Sequence, residues 1–375
     1  MPREYTEEQV KFVTDLVSRK NRPLKITPAV RKMCEHFGLS YDDVVRRSFS
    51  ARLQTLGITK NIRLIEDAED FKKATKKTFD KRRNTFIFTW AQNETPVHSN
   101  FFDNLIAYSK HKKAGLHVIA GRYRNPTSVF TDQDKDTWTK EVLPFLDANR
   151  HSIHKYLQVL SDVKISPTAS MPLSGFNSFT GLESCIIGHP RMHLASLPVL
   201  PNYPNKLLLS TGACTVENYT DSKSGKKGEF HHSLGCVIVE LDGDHYHIRQ
   251  ITADSNGNFY DLFSRVKDGN VEKNTKGCEV AVLGDLHIRQ VDKKAESASF
   301  KLLDVMKPKY TVIHDIFDGQ SISHHTKNYP FQLLELEESG SDNVEEEIKE
   351  MFAWVNKRKK YNLVIPAANH NDWLD

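Results

Sequence analysis

The chain has no stretch of about 18 consecutive apolar residues, so it contains no expected membrane-spanning helix. It has no C-x-x-C pair. Its five cysteines, Cys34, Cys185, Cys214, Cys236 and Cys278, are odd in number and far apart. That disfavours a disulfide framework and a cysteine-type zinc knuckle, and it fits a reducing, cytoplasmic compartment. No apolar run follows Met1-Pro2-Arg3-Glu4-Tyr5, so a secretory signal is not expected. No internal repeat is visible. A 38% hydrophobic and 27% charged composition over 375 residues reads as a soluble globular protein of two or three domains.

Charge is unevenly placed. Residues 1–83 carry 20 lysines and arginines against 12 acids, whereas the remainder carries 32 against 36. A basic front suggests contact with a polyanion, although a solvated lysine-rich surface explains the same count. A first helix is expected from Thr6, with Val10, Val13, Leu16 and Val17 at helical spacing. A second starts at Thr27 with Pro28 in its first turn and ends at Gly38. Ser40 is expected to cap a third that ends at Gly57. Gly38-Leu39-Ser40 gives the pair the length and turn of a helix-turn-helix, with Arg46, Arg47 and Arg52 on the third helix able to reach DNA. Residues 71–83 read as a basic linker whose Lys72, Lys73, Lys76 and Lys77 would add phosphate contacts, or serve only as a soluble hinge.

The texture changes at Asn84. Strand candidates at 85–90 and 116–120 flank a helical pattern over 99–112, a strand–helix–strand unit that favours parallel pairing. Further strands are expected at 206–210, 235–241 and 245–251, with loops between them such as residues 221–227. His231 and His232 with His245 and His247 offer imidazoles, read mainly as surface histidines on alternating strand faces.

From Cys278 the pattern alternates again: strand 279–283, helix 297–306, strand 310–313, a long insertion, helix 344–356 and strand 362–365. The acidic residues from Glu335 to Glu347 read as a solvated helix face. Three apolar strands each end in a polar cluster: Gly284-Asp285-Leu286-His287, His314-Asp315-Ile316-Phe317-Asp318 and Asn369-His370-Asn371-Asp372. Loops at the carboxyl ends of parallel strands share one crevice, so the three clusters can converge. Their mixed nitrogen and oxygen donors suit Mn²⁺, Zn²⁺ or Fe²⁺.

These clusters resemble the signatures of the calcineurin-like metallophosphoesterases, a Gly-Asp-x-His, a Gly-Asp-x-x-Asp and a Gly-Asn-His-Asp/Glu, each after a strand. The resemblance covers residues 278–375. It implies two divalent ions, with Mn²⁺ the first choice and Zn²⁺ or Fe²⁺ as alternatives. Asp285 and His287 would hold one ion, Asp315 would bridge both, and Asn369 would hold the other. His370 would act on the leaving oxygen, and Asp318 would support the site from behind. His314, Ala368 and Asn371 depart from the family pattern, and two later histidine signatures are not found, so a longer parent protein is expected. His324 and His325 could substitute but read as a loop pair. The stretches 121–127, 210–220 and 230–235 are similar to segments of the pre-early DNA-transfer nucleases of tailed phages.

The expected architecture is therefore α/β. A basic helical domain spans 1–83, a mixed α/β domain 84–277 and a partial metallophosphoesterase domain 278–375. The expected activity is a metal-dependent DNase, with DNA as partner, no membrane span, and the host cytoplasm as its location for a phage protein. A homo-oligomer is left open. A DNA-binding or assembly protein with an inactive phosphoesterase fold, or a phosphatase, stand as the alternatives.

Overall fold

The computed structural model describes residues 5–17, 26–42, 45, 48–49, 52–53, 73–80, 82–128, 130, 137–200, 203–274, 277–323 and 328–374. It is of mixed α/β type and divides into two compact units, Met1–Glu272 and Lys273–Asp375.

The first unit begins with α1 (Glu7–Val17) and α2 (Ile26–His36). Thr6 and Gln9 close a capping box at the start of α1. The Gln9 N–H donates to Thr6 Oγ1 at 3.3 Å and the Thr6 N–H to Gln9 Oε1 at 3.1 Å. Gly38, at φ +65°, ends α2, a left-handed position that costs glycine little. The next helical turn is capped not by Ser40 but by Asp42, whose Oδ1 accepts from the Val45 N–H at 2.7 Å. A carboxylate is the stronger N-terminal acceptor. Val13, Leu16, Val30, Met33, Val45, Phe49 and Leu53 bury one small core among these helices.

The rest of this unit is built on two five-stranded sheets. In the first the order is β10 (His245–Thr252), β9 (Gly235–Asp242), β1 (Thr85–Gln92), β2 (Gly115–Gly121) and β3 (Leu146–Asp147). β1 and β2 are parallel and joined by α3 (Ser99–His111), the expected strand–helix–strand unit. The second sheet runs β4 (Arg150–His154), β5 (Leu157–Leu160), β6 (Ser184–Ile187), β8 (Lys206–Ser210) and β7 (Leu194–Leu197). Phe86, Phe88, Trp90 and Ile119 meet Leu157, Val159, Ile186 and Leu209 in a core shared by the two sheets. α3 covers the first sheet's other face with Phe101, Phe102, Leu105 and Tyr108. β1 is thus buried on both faces, which is why it reads as a continuous apolar run rather than an alternating one. A small antiparallel sheet, β11 (Phe259–Asp261), β12 (Ser264–Lys267) and β13 (Asn270–Lys273), follows.

Two expectations are corrected here. Residues 221–227 do not form a loop: α4 (Lys223–His231) starts there, with Ser222 Oγ accepting from the Gly225 N–H. The basic stretch ending at Arg83 is not a free linker over its described part. Ala74 is buried in the core beneath α3, the Ala148 N–H donates to Ala74 O at 3.2 Å, and the Phe79 ring stacks on His117 at 4.3 Å. Alternating lysines with alanine and phenylalanine gave this segment enough apolar surface to dock.

The second unit holds the parallel sheet β14 (Val280–Asp285), β15 (Tyr310–His314) and β16 (Leu363–Val364). α5 (Lys293–Met306) crosses from β14 to β15, and α6 (Pro330–Glu338) and α7 (Val344–Lys357) lie between β15 and β16. Asp292 and Asn343 cap α5 and α7, each accepting two backbone N–H groups. Phe300, Leu303, Ile313, Ile316 and Trp354 form the core. Glu296 is buried in it, where Trp354 Nε1–H donates at 2.7 Å and Arg358 pairs at 2.6 Å. Both donors reach Oε1, so the buried carboxylate is hydrogen-bonded rather than left unpaired. The insertion contains α6, which the pattern did not foresee, and Glu335, Glu337 and Glu338 are exposed on it as expected.

Candidate metal centre

The three polar clusters follow β14, β15 and β16, which run parallel and side by side. Parallel strands with crossover helices bring their carboxyl ends to one edge of the sheet, so residues 30 and 55 positions from Asp315 become its neighbours. Ligand atoms of Asp285, His287 and Asp315 lie within 4.8 Å of one another. Among the described residues this is the one group of histidines, cysteines and acids so arranged. Asp285 is exposed, His287 half-buried and Asp315 4% exposed.

Backbone strain helps to form the cluster. β14 is irregular between Leu283 and Asp285, and the chain then turns so that His287 sits at φ +48° and Asp315 at φ +37°. Neither residue has glycine's freedom there, and such conformations cost about 1–3 kcal/mol each. The His287 N–H donates to Asp315 O at 2.9 Å and the Leu286 N–H to His314 O at 3.1 Å, which locks the two loops together.

A supporting layer lies behind. Asp318 is buried; its Oδ2 accepts from the Arg289 N–H at 2.7 Å, and its Oδ1 stands 3.8 Å from His287 Nδ1. Burial pushes the Asp318 carboxyl above its ordinary pKa, partly opposed by the Arg289 N–H. Glu347 is the exception to the solvated acidic run. It is buried and accepts from the Gly319 N–H and Ser321 Oγ–H, each at 2.7 Å, pinning the loop that carries Asp318. Sequence reasoning missed it because its neighbours Glu345 and Glu346 are exposed and look the same in the sequence.

His370 is brought to the cluster from the third loop. Its backbone N–H donates to Asp315 Oδ1 at 3.2 Å, and its Nδ1–H donates to Asp318 O at 2.8 Å, which orients the ring. Its ring centroid is 4.7 Å from that of His287. Asn369 is exposed one residue earlier in the same loop. Among the described residues no lysine or arginine forms an ion pair with Asp285 or Asp315. Two neighbouring carboxylates and an imidazole, without a cationic partner, form a donor set that a divalent cation satisfies.

The other sequence-derived candidates fall elsewhere. Arg46, Arg47, Lys72, His324 and His325 lie outside the described residues. Arg52, Lys73 and Lys76 are exposed. Lys77 is half-buried and donates through Nζ to Pro144 O, so it does not project into solvent as expected of a linker lysine. His231, His232, His245 and His247 form no metal-holding group among the described residues. His232 is instead held by the Tyr219 hydroxyl at 2.7 Å and Thr215 O at 2.9 Å.

No helix among the described residues is long and apolar enough to cross a membrane. No protein-family model matches the chain, and no solved structure matches it. The chain is similar to a phage protein: it is 28% identical over 320 residues to the protein named Protein A1 of Escherichia phage T5. The alignment takes in 79% of this chain and 56% of that protein, so the chain spans about half the length of the curated relative it matches.

Proposed function

We propose that this chain belongs to a divalent-metal-dependent DNA nuclease of a phage. The observation that carries the reading is the convergence of Asp285, His287 and Asp315 at the ends of two parallel strands, with His370 arriving from a third. Asp285, His287 and Asp315 would hold one ion, and Asn369 together with Asp315 would serve a second. Mn²⁺ fits the donor set, as do Zn²⁺ and Fe²⁺. Such ions, when bound, supply hydroxide at neutral pH and neutralise a phosphodiester.

The chain's own residues do the rest. Asp318 Oδ1 faces His287 Nδ1 across 3.8 Å, a charge contact rather than a hydrogen bond, and would help to orient that ring. With Nδ1–H donated to Asp318 O, His370 would act through Nε2, delivering a proton to the leaving oxygen when the ring carries both protons. Similarity to a phage protein supports a phage origin. DNA as the substrate, the infected host's cytoplasm as the setting and a part in DNA transfer or host-DNA degradation rest on the resemblance of residues 121–127, 210–220 and 230–235 to phage DNA-transfer nucleases.

The test is cleavage of end-labelled DNA by the full protein in Mn²⁺, beside an Asp315→Ala variant. Loss of cleavage in the variant, with folding retained by circular dichroism, is expected. Wild-type rates in the variant would remove the metal assignment. Hydrolysis of small phosphoesters without DNA cleavage would favour the phosphatase alternative.

A further inference from the structure

The first unit carries a cleft of about 560 Å³, lined by cationic and apolar side chains and by none of the metal-centre residues. Lys77, Arg83, Lys110 and Lys113 line it against one carboxylate, Asp80. Ile106, Leu116 and Phe145 contribute to the floor.

The cleft exists because the basic stretch docks. Phe79 packs on Phe86 at 4.4 Å and on His117 at 4.3 Å. That places Lys77 and Arg83 against the end of α3, which brings Lys110 and, just beyond it, Lys113. The end of a helix normally repels anions through its unsatisfied carbonyls. Here the N–H groups of Lys112, Ala114 and Lys113 already donate to the last-turn carbonyls of Tyr108, Ser109 and Lys110, and Arg83 Nη1–H holds Lys113 O, just past the helix, at 2.6 Å. Asp80 is likewise engaged, by Arg82 at 2.9 Å and Arg83 at 3.5 Å. Lys110 and Lys113 are exposed, and neither forms an ion pair among the described residues. Lys110 and Lys113 thus present two exposed ammonium groups beside the already engaged Lys77 and Arg83, and a chain of phosphates would neutralise them.

The floor narrows the choice of polyanion. A purely electrostatic phosphate track has no need of apolar surface, whereas a nucleotide offers a base as well as a phosphate. Phe145 is half-buried in the floor, a position from which one face can take a stacked base. The volume falls within the range of pockets that take a small ligand, about 300–1,000 Å³, and so suits one or two nucleotides. We infer that this cleft binds single-stranded DNA, with Lys110 and Lys113 on the phosphates and Phe145 beneath a base. The inference rests on the nuclease reading only for the choice of DNA as the polyanion. It adds a binding site in the first unit, built from residues other than those of the metal centre.

The experiment is fluorescence anisotropy of a labelled oligo(dT) with the intact chain in EDTA, over a series of salt concentrations. Without metal, the phosphoesterase chemistry plays no part. The double variant Lys110→Glu/Lys113→Glu should bind at least tenfold more weakly. Its log K against log salt should be shallower by about 1.4, two single-strand phosphate contacts at about 0.7 each. Lys110→Ala/Lys113→Ala, which perturbs folding less, should move both in the same direction. Phe145→Ala should weaken binding without changing the slope. Lys307→Glu/Lys309→Glu, an equal charge change in the second unit, should alter affinity by less than twofold. Equal affinities in the cleft and control variants would overturn the inference, as would tighter binding of a duplex than of oligo(dT). Oligo(dT) binding that depends on Lys110 and Lys113 in a protein that never cleaves DNA with Mn²⁺ would uphold the cleft and sink the nuclease reading alone.

Discussion

At the scale of single residues, the centre separates groups that would hold an ion from groups that set their geometry. His370 is proposed to act on the substrate rather than to hold an ion. Both its backbone N–H and its Nδ1–H are committed, to Asp315 Oδ1 and Asp318 O. His370→Ala should therefore lower turnover by about 10²–10⁴-fold. Mn²⁺ content measured by mass spectrometry should stay near wild type; a variant stripped of metal would make His370 a ligand instead. Asp318 is the opposite case, a positioning residue. Its Oδ1 stands 3.8 Å from His287 Nδ1 without a hydrogen bond, and its other oxygen accepts from the Arg289 N–H. Asp318→Asn should weaken Mn²⁺ binding by about 10–100-fold in isothermal titration. An unchanged affinity would show that His287 is held by the backbone alone, through the N–H that reaches Asp315 O.

At the scale of elements, α4 shows why a glycine-rich stretch can be a helix. Gly225 and Gly228 lie inside it, at positions where alanine would normally add about 0.5–1 kcal/mol. A Cβ on Gly225 would lie 1.8 Å from Thr220 O, and one on Gly228 would lie 2.7 Å from the Tyr219 ring. The helix packs so closely on residues 219–220 that only glycine fits. That packing supports Tyr219, whose hydroxyl bonds His232. Gly225→Ala should consequently destabilise the fold, by about 1–3 kcal/mol, because backbone must move to admit the methyl group. Urea denaturation decides it. A stabilised variant would mean that helix propensity, not packing, governs this element. In the sequence, residues 221–227 read as a loop, since the contact that demands glycine comes from tertiary packing.

At the scale of the whole molecule, buried histidines tie stability to pH. His189 follows β6 and is fully buried. The Arg191 N–H donates to its Nδ1 at 3.0 Å, so its Nε2–H donates to Ser166 O at 3.1 Å. Burial pulls it down from 6.5 to about 4. His117, between Asp147 and Phe79, is also lowered, chiefly by burial. A histidine with a depressed folded-state pKa contributes stability that is complete above its unfolded value. That contribution is lost as pH falls from about 6.5 towards the folded value. The first unit's melting temperature should then fall between pH 7 and pH 4.5. His189→Gln should flatten that dependence over the same window. Identical profiles for the two proteins would show that His189 carries none of it.

Much of this protein was legible from its residues. Apolar runs located β1, β2, β8, β9, β10, β14 and β15, and Asp285, His287 and Asp315 were marked by their place directly after strands. Strand period, caps and strand-end chemistry are local, and local interactions leave a local signature. Tertiary structure alone decided the pairing of two sheets over Phe88 and Leu157, the docking of Phe79 on His117, and the burial of Glu347 among exposed acids. It also gathered Lys110 and Lys113 with Arg83 around one cleft. In each case the outcome depends on which distant surface a side chain meets, and no spacing along the chain encodes that.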